Sequence, residues 1–181
     1  MQELIERDHI RRALLRYTRG VDRLDQALID SCFFPDAIIE HGGMVFDGEH
    51  WGAAIVETMS SVATLTRHTI SNHSIELAGD AAYSEAYCDA QILEAIPEGS
   101  GEQLLRRAVR YVDQFERRGA EWRSVFRMTV LDWELIEPIV DRPPALSYVR
   151  GLHSTDDVSS RRPLKPEGYD KPVTNGTWVL R

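Results

Sequence analysis

The sequence predicts an α+β domain: helices first, then a run of antiparallel strands that curves beneath them. Three observations carry this. Up to Met59 helical patterns predominate, broken by Gly20, Pro35 and the Gly42-Gly43 pair, with one short strand candidate between them. From Arg67 the texture changes to alternating residues rich in β-branched and aromatic side chains, in four blocks. After Trp133 the periodicity is lost, and six of the eight prolines fall in that last stretch. Helices followed by strands pack in layers, with the helices on one face of the sheet and a pocket on its concave side.

Taken in order, Ile10, Leu14, Tyr17 and Val21 form an apolar stripe, with Arg11, Arg12, Arg16 and Arg19 mostly on the other face. The segment reads as an amphipathic helix whose end Gly20 weakens. A second helical pattern, Leu24, Ala27, Leu28 and Cys32, runs to Phe34 and is stopped by Pro35, making a helical hairpin. Ala37 to His41 is a strand candidate leading to Gly42-Gly43. Asp47-Gly48 marks a turn before a third helix, Trp51 to Met59. The strand blocks are 67–77, 81–93, 104–117 and 121–135, with turn signals at Gly79-Asp80 and Gly119. Residues 1–137 form the expected domain and 138–181 a proline-rich arm, which the closing Trp178, Val179 and Leu180 favour as docked rather than free.

Net charge narrows the partners. At −8 the chain disfavours non-specific binding to phosphate backbones or anionic membranes, Arg106, Arg107 and Arg110 notwithstanding, so nucleic acid is not an expected partner. Two cysteines, Cys32 and Cys88, give neither a disulfide framework nor a zinc spacing and read as buried thiols. The charged start (Glu3, Glu6, Arg7, Asp8) lacks the pattern of a secretory signal, and no apolar run approaches the roughly 18 residues of a membrane span. A cytoplasmic protein is the expectation. The sequence holds no G-x-S-x-G elbow, Walker loop or Gly-rich dinucleotide fingerprint.

Asp22 and His68 carry the most chemical information. Asp22 sits where the first helix breaks and His68 opens a strand block; brought together, the carboxylate would fix one imidazole tautomer and stabilise the imidazolium, making His68 a general base. The competing account of Asp22 is an N-cap of the second helix. Tyr17, on the apolar stripe, offers a phenol that needs a polar partner or a cavity. Asp89 alternates with Tyr87 and Gln91, opposite Ala86, Cys88 and Ala90; which face is concave stays open. Arg127 alternates with Val125, Thr129 and Leu131, where a charge requires a partner, and Asp89 is a candidate. Asn72 lies two pleats from His68 on the same face, and His41 follows the second helix toward the pocket mouth. His41 and His73 show no metal-ligand spacing, so no metal is expected; His9, His50 and His153 read as surface or loop residues.

The stretches YTRGVDRLD (17–25), FPDAIIEHGG (34–43), RHTISN (67–72), RYVDQFERR (110–118) and WRSVFRMTVLDW (122–133) resemble the SnoaL-like branch of the nuclear transport factor-like superfamily. The resemblance implies a cone-shaped α+β barrel, a strongly bent antiparallel sheet closed by helices around an apolar pocket. Members similar in site chemistry are dehydratases and a dehydrochlorinase, which implies a cofactor-free lyase, foremost a dehydratase of a steroid- or polyketide-like hydroxy-ketone. A double-bond isomerase, a polyketide cyclase and a non-catalytic subunit like those of ring-hydroxylating dioxygenases are the alternatives. The family pattern places Asp22 and His68 in the dyad, Tyr17 and Arg127 at the developing oxyanion, and Asp89 as an acid. It implies a homotrimer ahead of a dimer.

Overall fold

The computed structural model describes residues 1–97, 99–140, 149–165 and 167. Its elements run α1 (Gln2–Arg23), α2 (Gln26–Asp30), β1 (Phe33–His41), β2 (Met44–Asp47), α3 (Gly48–Val62), β3 (Ala63–Ala78), β4 (Ala81–Ala95), β5 (Glu102–Arg118) and β6 (Glu121–Pro138), followed by a 3-10 turn at Val158–Ser160. The strands form one sheet in the order β2-β1-β6-β5-β4-β3. The sheet does not close on itself: β2 and β3 are its edges, and α1 and α3 lie across the concave face between them. Pairing is antiparallel except between β1 and β6, which run parallel, so the sheet is mixed rather than wholly antiparallel.

Local chemistry sets the corners. α1 keeps its apolar stripe inward, burying Ile10, Ala13, Leu14, Tyr17 and Val21. It ends at Leu24, whose left-handed backbone (φ 51°) lets the Asp25 N–H reach the Gly20 carbonyl at 2.9 Å. Asp25 then caps α2 by accepting from Leu28 N–H at 3.0 Å. The expected second helix of eleven residues is in fact five residues long. Pro35 does not stop it but lies inside β1, within an irregularity between Phe33 and Ile38 where the missing N–H is not required.

Bulges bend the long strands. Extra residues sit in β3 between Ile70 and His73, and in β6 opposite the Gln114–Phe115 and Ala108–Val109 steps of β5. Each bulge increases local twist and re-aims the side chains beyond it. The concave side carries a core of Leu14, Tyr17, Ile29, Phe33, Ile39, Trp51, Cys88 and Tyr111, and a second cluster of Ile10, Ala13, Ala82, Phe115 and Trp122 closes the other end. In the C-terminal arm, Asp157 is buried and accepts from Leu152 N–H and Ser159 N–H at 2.8 and 2.9 Å, while Arg23 Nε approaches it at 3.4 Å. That part of the arm packs on its own chain, beside the end of α1. Trp178, Val179 and Leu180 lie outside the described residues.

Gly20 is not a helix end, since α1 continues through Arg23. A Cβ there would stand 2.6 Å from Ile29 Cγ1, 3.1 Å from Ile29 N and 3.2 Å from the Asp25 carbonyl. The glycine is what lets α2 fold back against α1. Gly20→Ala should therefore destabilise the protein by about 1–3 kcal/mol through overpacking, despite the better helix propensity of alanine. Urea denaturation checks this; an unchanged midpoint would mean that α2 can move away freely.

Candidate active site

Asp22 lies in the last turn of α1 and His68 on β3, and the fold brings them together. Asp22 Oδ1 and His68 Nδ1 are 2.7 Å apart. The same oxygen accepts from the Thr66 hydroxyl at 2.9 Å, and Oδ2 accepts from the His68 backbone N–H at 3.0 Å. Three donors thus hold the carboxylate in place. Burial works against its charge, but the hydrogen bonds and attraction from His68, with the Thr66 hydroxyl, outweigh burial and keep the Asp22 carboxyl below its ordinary pKa. An ionised carboxylate can only accept, so Nδ1 carries the imidazole proton and Nε2 is the basic edge. The cap reading of Asp22 fails because Asp25 fills that position.

The dyad opens on a small cavity of about 40 Å³. Its polar lining comes from Tyr17, His41, His68, Arg107, Tyr111 and Thr129, and its apolar lining from α1, α3, β4 and β5, including Val21, Ile55, Met59 and Val109. Wider clefts exist, one of about 420 Å³ between His9, Arg12, Arg16 and Arg123, but it contains neither Asp22 nor His68. Tyr17 meets Phe33 and Tyr111 edge-on, each at 5.6 Å. Burial, opposed by the Arg127 charge, pushes its phenol up to about 12, so it is protonated and can donate. His41 Nδ1 is 3.1 Å from Thr129 Oγ1. Burial, then the charges of Arg107 and Arg127, lower His41 to about 4, so it is neutral near pH 7.

Arg127 is fully buried, but its partner is not Asp89. Nε and Nη2 form a fork with Asp113 at 2.8 and 2.9 Å, and Ser124 donates to the same carboxylate at 2.9 Å. The guanidinium carbon stands 4.3 Å from the Tyr17 ring centre and 4.5 Å from that of Tyr111. Arg127 therefore lies behind the tyrosines rather than in the cavity lining. Asp89 is exposed on the convex face, because β4 turns Ala86, Cys88 and Ala90 inward. Asn72 is also exposed: the bulge after Ile70 reverses the alternation and directs His73, Ile75 and Leu77 inward instead. Neither residue belongs to the site. Among the described residues, no group of three His, Cys, Asp or Glu side chains converges as a metal ion requires.

Sequence reasoning missed Thr66, Arg107, Tyr111, Asp113 and Thr129. Asp113 and Tyr111 do lie in the quoted stretch RYVDQFERR, whose alternation puts Tyr111, Asp113 and Phe115 on one face. A carboxylate on a face of aromatic side chains was the available signal. Thr66, next to RHTISN, gave none.

His41 makes the pH dependence of stability testable. Its folded pKa of about 4 lies below the unfolded value of 6.5, so between these the unfolded chain binds the extra proton. This contribution to stability is complete above pH 6.5 and declines toward pH 4. Urea unfolding at pH 7.5 and pH 5 should show wild type losing more stability than His41→Phe; equal losses would contradict the assignment.

The family model for the SnoaL-like domain matches residues 2–128. An uncharacterized protein of Mycobacterium tuberculosis strain H37Rv is 29% identical over 132 residues, covering 70% of this chain and 85% of its own. Among solved structures, a type 2 hexachlorocyclohexane dehydrochlorinase superposes with a TM-score of 0.67 at 19% identity, covering 80% of this chain and 97% of its own. A candidate scytalone dehydratase from Novosphingobium aromaticivorans gives a TM-score of 0.62 at 16% identity, covering 86% and 98%. At such identities the structural likeness establishes the fold, while the domain match spans most of the residues that build the cavity. The chain belongs to the SnoaL-like domain family.

Proposed function

We propose that this protein is a cofactor-independent lyase, foremost a dehydratase of a hydrophobic, ring-containing hydroxy-ketone of steroid or polyketide type. The observation that carries the reading is the 2.7 Å contact between Asp22 Oδ1 and His68 Nδ1, which leaves the basic edge of the ring for the apolar cavity. In this scheme Nε2 removes the proton next to the carbonyl, and the C–H electrons form a carbon–carbon double bond as charge moves to the carbonyl oxygen. Tyr17, a neutral donor, hydrogen-bonds that oxygen; such oxyanion stabilisation is commonly the largest contribution to lowering the barrier. As the enolate collapses, the bond to the hydroxyl oxygen on the β-carbon breaks, and the imidazolium returns its proton to make water. Arg127 acts through the Tyr17 ring, and Asp89 has no part. The dehydrochlorinase and dehydratase named above, which share the fold, support an elimination.

The cavity adds a requirement. Ligand pockets for small molecules generally run to about 300–1,000 Å³, far above the space beside His68. A ring substrate must displace part of the wall, and α3 contributes the flexible Met59 there. An isomerase would use the same base and donor without losing a leaving group.

Incubating the protein with cyclic β-hydroxy-ketones in D₂O separates the chemistries by mass: deuterium uptake next to the carbonyl reports the base, and loss of one water reports elimination. His68→Ala should lower both by about two to four orders of magnitude while the protein stays folded. Asp22→Asn should also be severely impaired, since the amide no longer stabilises the imidazolium. Undiminished exchange in folded His68→Ala would refute the mechanism; exchange without water loss would favour the isomerase.

The same reading includes assembly as a homotrimer, with a dimer as the second choice. On the convex side Ile38, Tyr83, Tyr87, Met128, Trp133 and Leu135 are exposed in the single chain, a broad apolar surface for a lone subunit. Light scattering at micromolar concentration should give three times the chain mass, and a Trp133→Glu variant a smaller species. A monomeric wild-type protein would rule assembly out.

A further inference from the structure

We infer that His153, from the C-terminal arm, is a positioning residue that acts through Thr66 on the Asp22 carboxylate. The contacts form one line: His153 Nε2 lies 3.3 Å from Thr66 Oγ1, Thr66 Oγ1 donates to Asp22 Oδ1 at 2.9 Å, and Asp22 Oδ1 faces His68 Nδ1 at 2.7 Å. Because the Thr66 proton is committed to an ionised carboxylate, its oxygen toward His153 is an acceptor. His153 Nε2 faces two acceptors, the Thr66 oxygen and the Val21 carbonyl at 3.2 Å, against the single Ala63 carbonyl 3.3 Å from Nδ1, so a singly protonated ring places its proton on Nε2 and shares it between Thr66 and Val21. The hydroxyl is thereby fixed at both ends. A lone threonine hydroxyl can rotate among staggered positions; one held between a donor and an acceptor is committed to Asp22.

The arm is built to deliver this imidazole. His153 Nδ1 lies 3.3 Å from the Ala63 carbonyl at the start of β3. Asp157 ties the loop to itself through Leu152 N–H and Ser159 N–H and approaches Arg23 of α1. Arg19 donates to the Ser159 hydroxyl and carbonyl at 3.3 and 3.4 Å. The segment thus grips the final turn of α1, the turn that carries Asp22. The family match stops at residue 128, so His153 is a contribution from outside the shared domain to the site within it.

The inference concerns the same dyad as the proposed lyase reading, but its test reads the carboxylate rather than turnover, so the two can fail separately. The Asp22 side-chain carbon is followed by NMR through an acid titration in the full chain. Thr66→Val should raise the Asp22 pKa by about half a pH unit or more, because a hydrogen bond to the charged form is lost. His153→Ala should move it in the same direction, His153→Gln, which keeps a donor, should move it less, and Thr66→Ser should leave it near wild type. In the Thr66→Val background His153→Ala should add nothing. An unchanged Asp22 titration in folded His153→Ala overturns the inference, as does a full His153→Ala shift that persists without the Thr66 hydroxyl.

Discussion

A guanidinium with about 1% of its side chain exposed must be neutralised where it stands, and that constraint organises the concave side of the sheet. Asp113 supplies the countercharge from β5 by a two-pronged pair, and Ser124 occupies the carboxylate further. Removing one member of such a pair would leave an uncompensated buried charge, at about 3–5 kcal/mol, a large share of a domain's net stability. The pair also demands geometry. Ser124 and Arg127 are three residues apart, an odd separation that a regular strand would place on opposite faces; the extra residue between them in β6 turns both inward.

Around this charge stand the faces of Tyr17, Phe33 and Tyr111, which accept a cation against their π-systems. Two of those rings are also the cavity wall. The phenol of Tyr17 is thus held between the fixed charge and the space beside His68, while the Arg127 guanidinium itself stays outside the cavity lining. Asp22 is fixed by three hydrogen bonds of its own, so among the described residues His68 and Tyr17 are supported by separate networks.

Much of this is legible in the sequence. The apolar stripe of α1, the strand blocks from Arg67 and the Asp22–His68 pair all rest on local periodicity or on residue types that demand a partner. What was not legible depends on single-residue irregularities or distant pairings. Asn72 left the site because a bulge changed the count between it and His68. Asp89 was ambiguous because both faces of β4 hold small or mixed residues, so alternation alone did not say which was inside. Arg127 advertised its need for an acid, but the choice between Asp89 and Asp113 required strand register. Pro35 signalled a break, and the break became a strand irregularity because β6 gave Phe33 and Ile38 a partner on either side of it.

The parallel pairing of β1 with β6 has a consequence in time. Ile39 pairs with Arg127, so a strand made early in synthesis waits for one made near the end of the domain before its ladder can form. The early helices and the β1–β2 hairpin can gather locally, but the central charge pair does not yet exist, since Asp113 and Arg127 have not been made. Non-local pairings of this kind slow folding and leave edges open meanwhile. During translation the nascent chain therefore presents β1, with Ile38 and Ile39, as an unpaired apolar edge, the stage at which a holding chaperone has the most to protect.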